Sequence, residues 1–319
     1  MHNLKLYLVA FLIIAFSAIS LLAQDQDEIV LGPYLQRMTD RSVTIKWSTL
    51  EGESRVIAPD SSVQLIRAYE QHEMLLSRLK ADTVYHFNIN GDSTGRGAGT
   101  FRTFPREIKP FKFVTLGDTR SRHDVHKKIV DRVVNETPLF VVNTGDLVSN
   151  GENIQDWEQF FRINYDLMRS TPYFPVLGNH EKDSKFYFDF FDLPGNERYY
   201  HFSVGDALFI ILDSEGPDFQ TPAYLKEENE EDFWQNYNRP YFEEQKAWLE
   251  RMLSLHKDAG FIFVFMHAPI FSIKQSRLEG AKLRREFWGD IFERHGVQVF
   301  MNGHDHHYHH AIRGGTHYI

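Results

Sequence analysis

Histidines and carboxylates are the residues of this chain whose spacing suggests chemistry. The stretch GHDHHYHH, residues 303–310, places five histidines in eight positions of a chain that contains 16. It has two interpretations: a loose His-rich tract that binds any transition metal, or one corner of a built metal site. The second interpretation requires further metal ligands elsewhere in the chain, and the search for them decides between the two.

Side chains of ligand type follow five apolar segments of strand length. The transitions are FKFVTL into Gly117-Asp118, LFVVNT into Gly145-Asp146, YFPVL into Gly178-Asn179-His180-Glu181, FIFVFM into His267, and VQVFMN into Gly303-His304-Asp305-His306. In α/β sheets, ligands bind beyond the carboxyl ends of the strands. Each transition alone is most simply a turn, but five in order predict one site. Carboxylate and amide oxygens mixed with imidazoles suit Zn, Mn or Fe better than Ca or Cu(I).

The elements that position these ligands are typical of an α/β domain over residues 110–319. Apolar runs of strand length alternate there with longer amphipathic stretches. Between residues 123 and 134, Val125, Ile129 and Val133 recur at helical spacing, which predicts a helix with that face buried. His123 and His126 on the same segment are predicted to be surface residues.

Residues 28–105 have a different pattern, that of short strands. SVTIKWS, residues 42–48, alternates Val43, Ile45 and Trp47 with Thr44 and Lys46, which is the period of a half-buried strand. Several such segments with Gly-rich turns between them predict a small all-β sandwich. Nothing in this region suggests chemistry, so a packing or positioning role is preferred.

Composition and the first residues limit the class of protein. The 319 residues carry a formal net charge of -9 and no cysteine, which argues against a nucleic-acid-binding scaffold and excludes disulfides. Residues 1–23 pair Lys5 with an apolar run ending at Ala23, which predicts a signal peptide and an exported protein, periplasmic or secreted. The alternative is an uncleaved anchor; after cleavage no stable membrane insertion is expected. The acidic run at 226–234 is predicted to be a solvated loop or helix start.

The order GD, GD, GNHE, MH, GHDH resembles that of the calcineurin-like metallophosphoesterases. LGPYLQ near the start and EEQKAWLERML at 243–253 are similar to the purple acid phosphatase branch. LKADTVYHFNI resembles a fibronectin type III stretch in which the Tyr, here Tyr85, packs at a corner of the sandwich. The resemblance implies a four-layer α/β/β/α sandwich, preceded by a fibronectin III-like one, and a dinuclear metal centre.

The resemblance also implies the ligands of the two metal ions, which would be Fe, Zn or Mn. The first metal would be held by Asp118, Asp146 and His306. The second would be held by Asp146, Asn179, His267 and His304, so the Asp146 carboxylate would bridge the two ions. The metal pair would polarise a shared water into hydroxide, which attacks phosphorus in line. His180 would bind the phosphate or protonate the leaving alkoxide.

Two positions depart from the family pattern. Ser149 stands where purple acid phosphatases carry a tyrosine that ligates ferric iron, so no purple chromophore is expected. Arg120 stands where the broader family often has a ligating histidine. Arg120 could bind the substrate phosphate or form a salt bridge to a nearby carboxylate, and both interpretations stay open. His307 and Tyr308 are candidate substrate contacts at the mouth of the site, or exposed residues without a role.

The function expected is that of an exported, metal-dependent phosphoesterase acting on phosphomonoesters of phosphorylated small molecules. The alternatives are a phosphodiesterase on nucleotide- or lipid-type diesters, a binding or adhesion protein with a non-catalytic metallophosphoesterase domain, and a metal-scavenging protein that uses the His tract. In the family the stretch GGTHYI begins a further strand, so the chain is expected to end early.

Overall fold

The first five strands form the small all-β region that the sequence predicts. The structure is a computed structural model and describes residues 29–57, 63–89, 95–216 and 238–319; the predicted signal peptide and the acidic run at 226–234 lie outside these ranges. Strands β1 (Ile29–Gln36), β2 (Val43–Ile57) and β3 (Val63–Leu76) make an antiparallel sheet in the order β1-β2-β3. Strands β4 (Val84–Asn88) and β5 (Ala98–Arg102) form a hairpin.

The next part of the chain is a parallel sheet with helical crossovers. Strands β6 (Val114–Leu116), β7 (Val141–Asn143) and β8 (Tyr173–Pro175) are its members. Helix α1 (His123–Glu136) connects β6 to β7, and α2 (Ile154–Met168) connects β7 to β8. The short helix α3 (Lys185–Phe190) follows the loop after β8.

A six-stranded sheet completes the described fold, in the order β13-β14-β12-β11-β10-β9. Its elements are β9 (Tyr200–Val204), β10 (Ala207–Ile211), α4 (Arg239–Leu255), β11 (Phe261–Met266), α5 (Leu278–Arg284), α6 (Asp290–Arg294), β12 (Val299–Asn302), β13 (Ala311–Arg313) and β14 (Thr316–Tyr318). A 3-10 turn, Gln275–Arg277, precedes α5, and a π-helical turn, Arg285–Gly289, links α5 to α6. Strands β10, β11 and β12 are parallel, so their carboxyl ends share one edge.

The two α/β sheets pack face to face, with helices outside them. Phe209 of β10 is fully buried and meets Phe113 and Phe140, the residues directly before β6 and β7, with ring centroids 5.3 and 4.9 Å away. The alternate residue Ile210 faces a second core that includes Leu249 of α4. Strand β10 is therefore buried on both faces, which explains its continuous apolar sequence. The predicted α/β/β/α fold class with a preceding β region is confirmed.

The buried face of α1 differs from the prediction. The helix buries His126, Val130 and Val133, whereas Ile129 is 43% exposed. The His126 ring packs against Phe160 of α2, with centroids 6.3 Å apart. Because α1 packs on α2, its buried stripe starts at residue 126 and runs i, i+4, i+7, whereas the predicted stripe starts at residue 125. His123 is exposed as predicted, and the prediction that His126 lies on the surface was wrong.

The prediction that β2 is half-buried was also wrong, because Thr44 and Lys46 are as buried as Val43 and Ile45. The Lys46 ammonium donates a hydrogen bond to the carbonyl of Asp189, 3.1 Å away. The polar face of the strand is thus covered by the α/β part of the chain.

Strand β1 also contacts the α/β part of the chain, through the face of the sheet on which Lys46 lies. The Tyr34 hydroxyl donates to the carbonyl of Phe190 at 2.7 Å, and Gln36 Nε2 donates to the carbonyl of Tyr173 at 3.1 Å. The Tyr34 ring also lies 4.8 Å from that of Phe161. One hydrophobic core therefore joins the N-terminal sheet to the α/β region.

Tyr85 behaves as the sequence suggests. Its ring stacks on Phe101, with centroids 5.5 Å apart, and its hydroxyl accepts the backbone N–H of Lys80 at 2.8 Å. A hydrogen bond to backbone a few residues upstream is how a tyrosine corner is built. The fibronectin III likeness and the boundaries 28–105 and 110–319 stay predictions. Within the described ranges, the helices are all too short or too polar to cross a bilayer.

Candidate metal centre

The carboxyl ends of the two α/β sheets meet at the predicted ligands. The backbone N–H of Asp118, after β6, donates to the carbonyl of Gly145, after β7, at 3.0 Å. The N–H of His304, after β12, donates to both carboxylate oxygens of Asp118, at 3.2 and 3.0 Å. The second contact joins the facing sheets across a separation of 186 residues. The strand-end polar residues therefore gather at one edge of the fold.

Four of the six predicted ligands have left-handed backbone conformations. The φ angles are 53° at Asp118, 55° at Asp146, 69° at His304 and 53° at His306. Non-glycine residues seldom adopt this region, and each instance costs on the order of 1–3 kcal/mol. Such strain persists where the surrounding structure holds a side chain in a required direction, as at a binding site.

The donors predicted for the second metal surround one nitrogen atom, His267 Nε2. It lies 3.1 Å from His304 Nδ1, 3.2 Å from Asn179 Oδ1 and 3.3 Å from Asp146 Oδ1. Ligand atoms of a tetrahedral ion with bonds of about 2.0–2.1 Å lie about 3.3–3.4 Å apart. The spacing around His267 is therefore that of one coordination shell.

Hydrogen bonding and burial prepare the two histidines for this role. His267 Nδ1 lies 2.8 Å from the carbonyl of Thr144, so Nδ1 carries the proton and Nε2 keeps its lone pair. Burial, reinforced by His267, Arg277 and Arg284, lowers the pKa of His304 to about 3. A metal ligand must be a neutral imidazole, and the lowered pKa of His304 favours that form.

The ligands predicted for the first metal are gathered less closely. His306 Nε2 lies 3.2 Å from Asp118 Oδ1, and one ligand atom from each of Asp118, Asp146 and His267 falls within 4.8 Å of the others. Burial raises the pKa of Asp118, and the nearby Asp146 carboxylate raises it further. Two neighbouring carboxylates with imidazoles form a donor set that fits transition-metal ions.

Arg120 forms the salt bridge that was one of its two interpretations. Its Nε lies 3.2 Å from Asp146 Oδ2, although the N–H is not aligned for a hydrogen bond. The side chain keeps 25% of its area exposed. The contact with substrate phosphate stays a prediction.

His180 lies beside the same carboxylate. Its Nδ1 is 2.7 Å from the carbonyl of Ser149, and its Nε2 is 3.9 Å from Asp146 Oδ2. Its backbone N–H donates to Asp146 Oδ1 at 3.1 Å. The Nδ1 contact orients the ring, so that Nε2 is the nitrogen that faces the predicted centre.

The structure does not bring His307 and Tyr308 into this cluster. His307 Nδ1 lies 2.9 Å from the carbonyl of Asp305, and Tyr308 is 79% exposed. In the described part of the chain, neither side chain has a hydrogen bond to a predicted metal ligand. Their role as substrate contacts remains a prediction.

Glu181 is a site residue to which sequence reasoning assigned no role. It is fully buried, and its Oε1 accepts N–H groups from Leu147 (2.8 Å) and Val148 (3.3 Å). Its Oε2 accepts N–H groups from Asp146 (3.0 Å) and Gly178 (2.7 Å). Burial raises the pKa of Glu181 to about 8, with Asp146 adding to the shift and the backbone donors opposing it. One side chain therefore ties the loop of Asp146 to the loop of Asn179 and His180.

The loops that carry the predicted ligands approach each other so closely that two positions have room only for glycine. A Cβ on Gly178 would lie 2.5 Å from both the nitrogen and Oδ1 of Asp146. A Cβ on Gly145, where φ is 95°, would lie 2.7 Å from His267 Nδ1. The sequence signal for the whole arrangement, including Glu181, was a glycine followed by polar residues at a strand end.

A buried ionic network supports the same edge from the helix side. Asp213, which follows β10, accepts a hydrogen bond from the Tyr241 hydroxyl at 2.6 Å and lies 3.6 Å from Arg198 Nη1. Arg198 also pairs with Asp183, two residues after Glu181. The network joins α4 and the end of β10 to the loop that follows β8.

The chain belongs to the calcineurin-like phosphoesterase family, whose pattern it matches over residues 111–308. It is 26% identical to an uncharacterised protein of Mycobacterium tuberculosis over 308 residues, covering 84% of this chain and 55% of the relative. It is 23% identical to purple acid phosphatase 18 of Arabidopsis thaliana over 261 residues, covering 76% and 54%. The chain spans about half the length of these relatives. The predicted resemblance to the family and to its purple acid phosphatase branch is confirmed.

Solved structures show the same fold. A purple acid phosphatase from yellow lupin, PPD1, superposes with a TM-score of 0.59 at 14% identity, covering 85% of this chain and 57% of that one. PhoD gives a TM-score of 0.56 at 13% identity, covering 86% and 71%. A dimetal phosphatase from Danio rerio gives 0.50 at 18% identity, covering 65% and 86%.

Proposed function

We propose that this chain is an exported, metal-dependent phosphatase that hydrolyses phosphomonoesters. The carrying observation is the convergence of Asp146, Asn179 and His304 on His267 Nε2 at 3.1–3.3 Å. Family membership supports a phosphoester hydrolase, and the donor set fits two transition-metal ions. Such ions, when bound, supply Lewis-acid activation of water and of the phosphoryl oxygens.

The residues would divide the remaining work. Asp146 would bridge the two ions: its Oδ1 faces His267 of the second set, and its Oδ2, which now faces Arg120, would serve the first ion. The Asp118 carboxylate and His306 would hold the first ion, and Asn179, His267 and His304 the second. Thr144 fixes the His267 tautomer through its carbonyl. Each of these groups acts by position, which is the main contribution of a protein to phosphoryl transfer.

His180 would serve as the general acid. Ser149 orients its ring through Nδ1, and the proton on Nε2 would pass to the leaving alkoxide. Arg120 would bind the phosphoryl oxygens once it is released from Asp146, because a guanidinium matches phosphate geometry. Export rests on the signal-like segment 1–23, and the fibronectin III-like region 28–105 would position the catalytic region 110–319.

The test combines metal analysis with turnover of two chromogenic substrates. The purified protein is assayed for bound metal and for hydrolysis of p-nitrophenyl phosphate and bis(p-nitrophenyl) phosphate in the presence of Zn, Mn, Fe or Co. We expect two metal ions per chain and faster turnover of the monoester. Faster turnover of the diester would replace the proposal by a phosphodiesterase, and no turnover with any metal would reject an enzyme.

The variant Asp146→Asn removes the charge that bridges the two ions. We expect it to lose bound metal and at least about 10³-fold in kcat/KM, while the exposed control Asp258→Asn retains both. Full metal content in Asp146→Asn would instead favour the His-rich tract at 303–310 as the metal-binding feature.

A further inference from the structure

A basic segment lies between β11 and α6, next to the metal ligands. Residues 274–285, KQSRLEGAKLRR, contain five cationic side chains in a chain whose net charge is -9. The segment is tied to the centre through Ser272, whose hydroxyl hydrogen-bonds Asp305, the residue between His304 and His306. The backbone N–H of Lys274 donates to the same hydroxyl at 3.1 Å. The turn that carries Arg277 is therefore fixed against the last pair of ligands.

A cavity of about 220 Å³ is lined in part by this segment, through Gly280, Leu283 and Arg284. Its polar wall includes Ser214, Glu215 and Arg284, and its apolar wall includes Phe242, Phe287 and Trp288. Ser214 follows β10, and its hydroxyl accepts the backbone N–H of Ala268 at 3.0 Å, directly after His267. The cavity thus lies at the same sheet edge as the metal centre.

Two arginines of the segment have no contact ion pair with the residues that the structure describes. Within the ranges that the structure describes, no carboxylate oxygen lies within 4.0 Å of a side-chain nitrogen of Arg277 or Arg284. The carboxylates in electrostatic range of Arg284 are Glu215 and Asp305. Each already accepts a serine hydroxyl, Glu215 from Ser214 at 2.7 Å and Asp305 from Ser272.

Burial lowers the pKa of Arg284, and Arg277 lowers it further, whereas Glu215 and Asp305 raise it. A partly buried cation without a contact counter-ion is costly in free energy, and a bound anion would offset that cost. The guanidinium group is suited to planar, bidentate recognition of phosphate or carboxylate. Both arginines also act electrostatically on His304, so an anion held by them would lie near the second metal.

We propose that Arg277 and Arg284 form a subsite for a second anionic group of the substrate, on its leaving-group side. The preferred substrates are then phosphomonoesters that carry a further phosphate or carboxylate. This inference rests on the proposed phosphatase function, and it adds a substrate class to that function. The apolar wall of the cavity receives the part of the leaving group that lies between the two anionic groups.

The experiment uses matched pairs of substrates and the full chain. Phenyl phosphate is compared with 4-carboxyphenyl phosphate, and propyl phosphate with propane-1,3-diol bisphosphate, by phosphate release. We expect the wild type to prefer the doubly anionic member by at least tenfold in kcat/KM. The carboxylate pair and the bisphosphate pair distinguish which second anion is preferred. A wild type without preference in either pair would overturn the subsite.

The variants Arg277→Gln and Arg284→Gln test the assignment to these residues. We expect each to lose at least tenfold more kcat/KM on the doubly anionic substrate than on its partner. The control Lys282→Gln removes an exposed charge of the same segment and should keep the wild-type preference. Equal losses on both members of a pair would contradict the proposal.

Two outcomes separate the subsite from the function on which it rests. If Arg284→Gln fails to fold, Arg277→Gln still tests the subsite, because Arg277 is exposed. Turnover of phenyl phosphate without selectivity in the wild type rejects the subsite alone. Absence of turnover on every substrate rejects the phosphatase function together with the subsite.

Discussion

The two carboxylate oxygens of Asp146 face different partners. Oδ1 lies 3.3 Å from His267 Nε2, and Oδ2 lies 3.2 Å from Arg120 Nε. If Asp146 bridges the two ions as proposed, each of its oxygens would face one ion, and the guanidinium would compete with the first ion for Oδ2. In the proposed ligand set the first ion would also have fewer protein ligands than the second, because Arg120 stands where the broader family often has a ligating histidine. The two metal sites should therefore differ in affinity.

We expect Arg120→Gln to tighten the weaker of two Zn²⁺ binding events about tenfold, which corresponds to about 1.4 kcal/mol. The physical reason is the loss of a positive charge that now occupies Oδ2. Isothermal titration of the metal-free protein measures both events, and Arg122→Gln, an exposed neighbour, is the control. Unchanged or weaker zinc binding would contradict the competition. Weaker inhibition by inorganic phosphate in Arg120→Gln would show that Arg120 also contacts the phosphate.

His126 makes stability depend on pH independently of the metal centre. Burial lowers the pKa of His126 to about 4 from its ordinary 6.5, with His123 adding to the shift. The depressed pKa means that the neutral ring stabilises the fold above pH 6.5, and that this contribution is lost as the pH falls toward 4. A shift of this size corresponds to about 3 kcal/mol at most.

We expect His126→Gln to flatten the fall in unfolding free energy between pH 6.5 and 4, measured by urea denaturation. Subtracting the curve of the variant from that of the wild type removes the contribution of the metal ligands, which both proteins share. His123→Gln, exposed on the same helix, should follow the wild type. Parallel curves for wild type and His126→Gln would refute a neutral buried imidazole.

At the scale of elements, the loops after β7 and β8 act as one unit. Glu181 accepts four backbone N–H groups from them, and its own carbonyl would lie 1.8 Å from a Cβ on Gly151. The carboxylate of Asp146 and the Asn179–His180 pair therefore have a common support. A change at Glu181 should displace both together.

We expect Glu181→Gln to lower the unfolding free energy by about 2–4 kcal/mol, because an amide N–H₂ would face backbone N–H donors. Metal affinity should fall with it, since Asp146 loses its support. Thermal unfolding and metal titration give the two readouts. Glu152→Gln, at an exposed position in the same region, is the matched control. A variant as stable as the control would show that the loops do not depend on this carboxylate.

The strand ends were predictable from the sequence because glycine and polar ligands interrupt apolar runs there. The sequence does not show which distant elements pack against each helix or strand. The stripe of α1 shifts by one residue to His126 because α2 lies beside it. The alternation of Lys46 with Val43 and Ile45 suggested solvent on one face of β2, but the carbonyl of Asp189 lies there. The partners of both elements are distant in sequence, and a local pattern carries no information on them.

At the scale of the whole molecule, the N-terminal sheet and the α/β region share one core. The sequence predicted two regions with different patterns of apolar residues and a boundary between them near residue 105. It could not show that Tyr34, Gln36 and Lys46 bind carbonyls on β8 and α3, the elements on either side of the Asn179 loop. The β region thus supports the two elements between which the Asn179 loop lies.

We expect a single cooperative thermal transition, with equal calorimetric and van't Hoff enthalpies. Tyr34→Phe should cost about 1 kcal/mol through the lost hydrogen bond to Phe190, and should speed amide exchange in residues 185–190. Tyr308→Phe, at a site that is 79% exposed, is the matched control. Two separated transitions would show that the regions fold independently.

The contact between Tyr34 and Phe190 also sets an order of events during synthesis. Its partners are 156 residues apart, so at about 5–20 residues per second the N-terminal strands leave the ribosome roughly 8–30 s before α3 exists. During that interval the face of Tyr34 and Lys46 has no docking surface. The nascent chain therefore presents an unpaired binding face to chaperones or to other chains, and slower translation would lengthen that exposure.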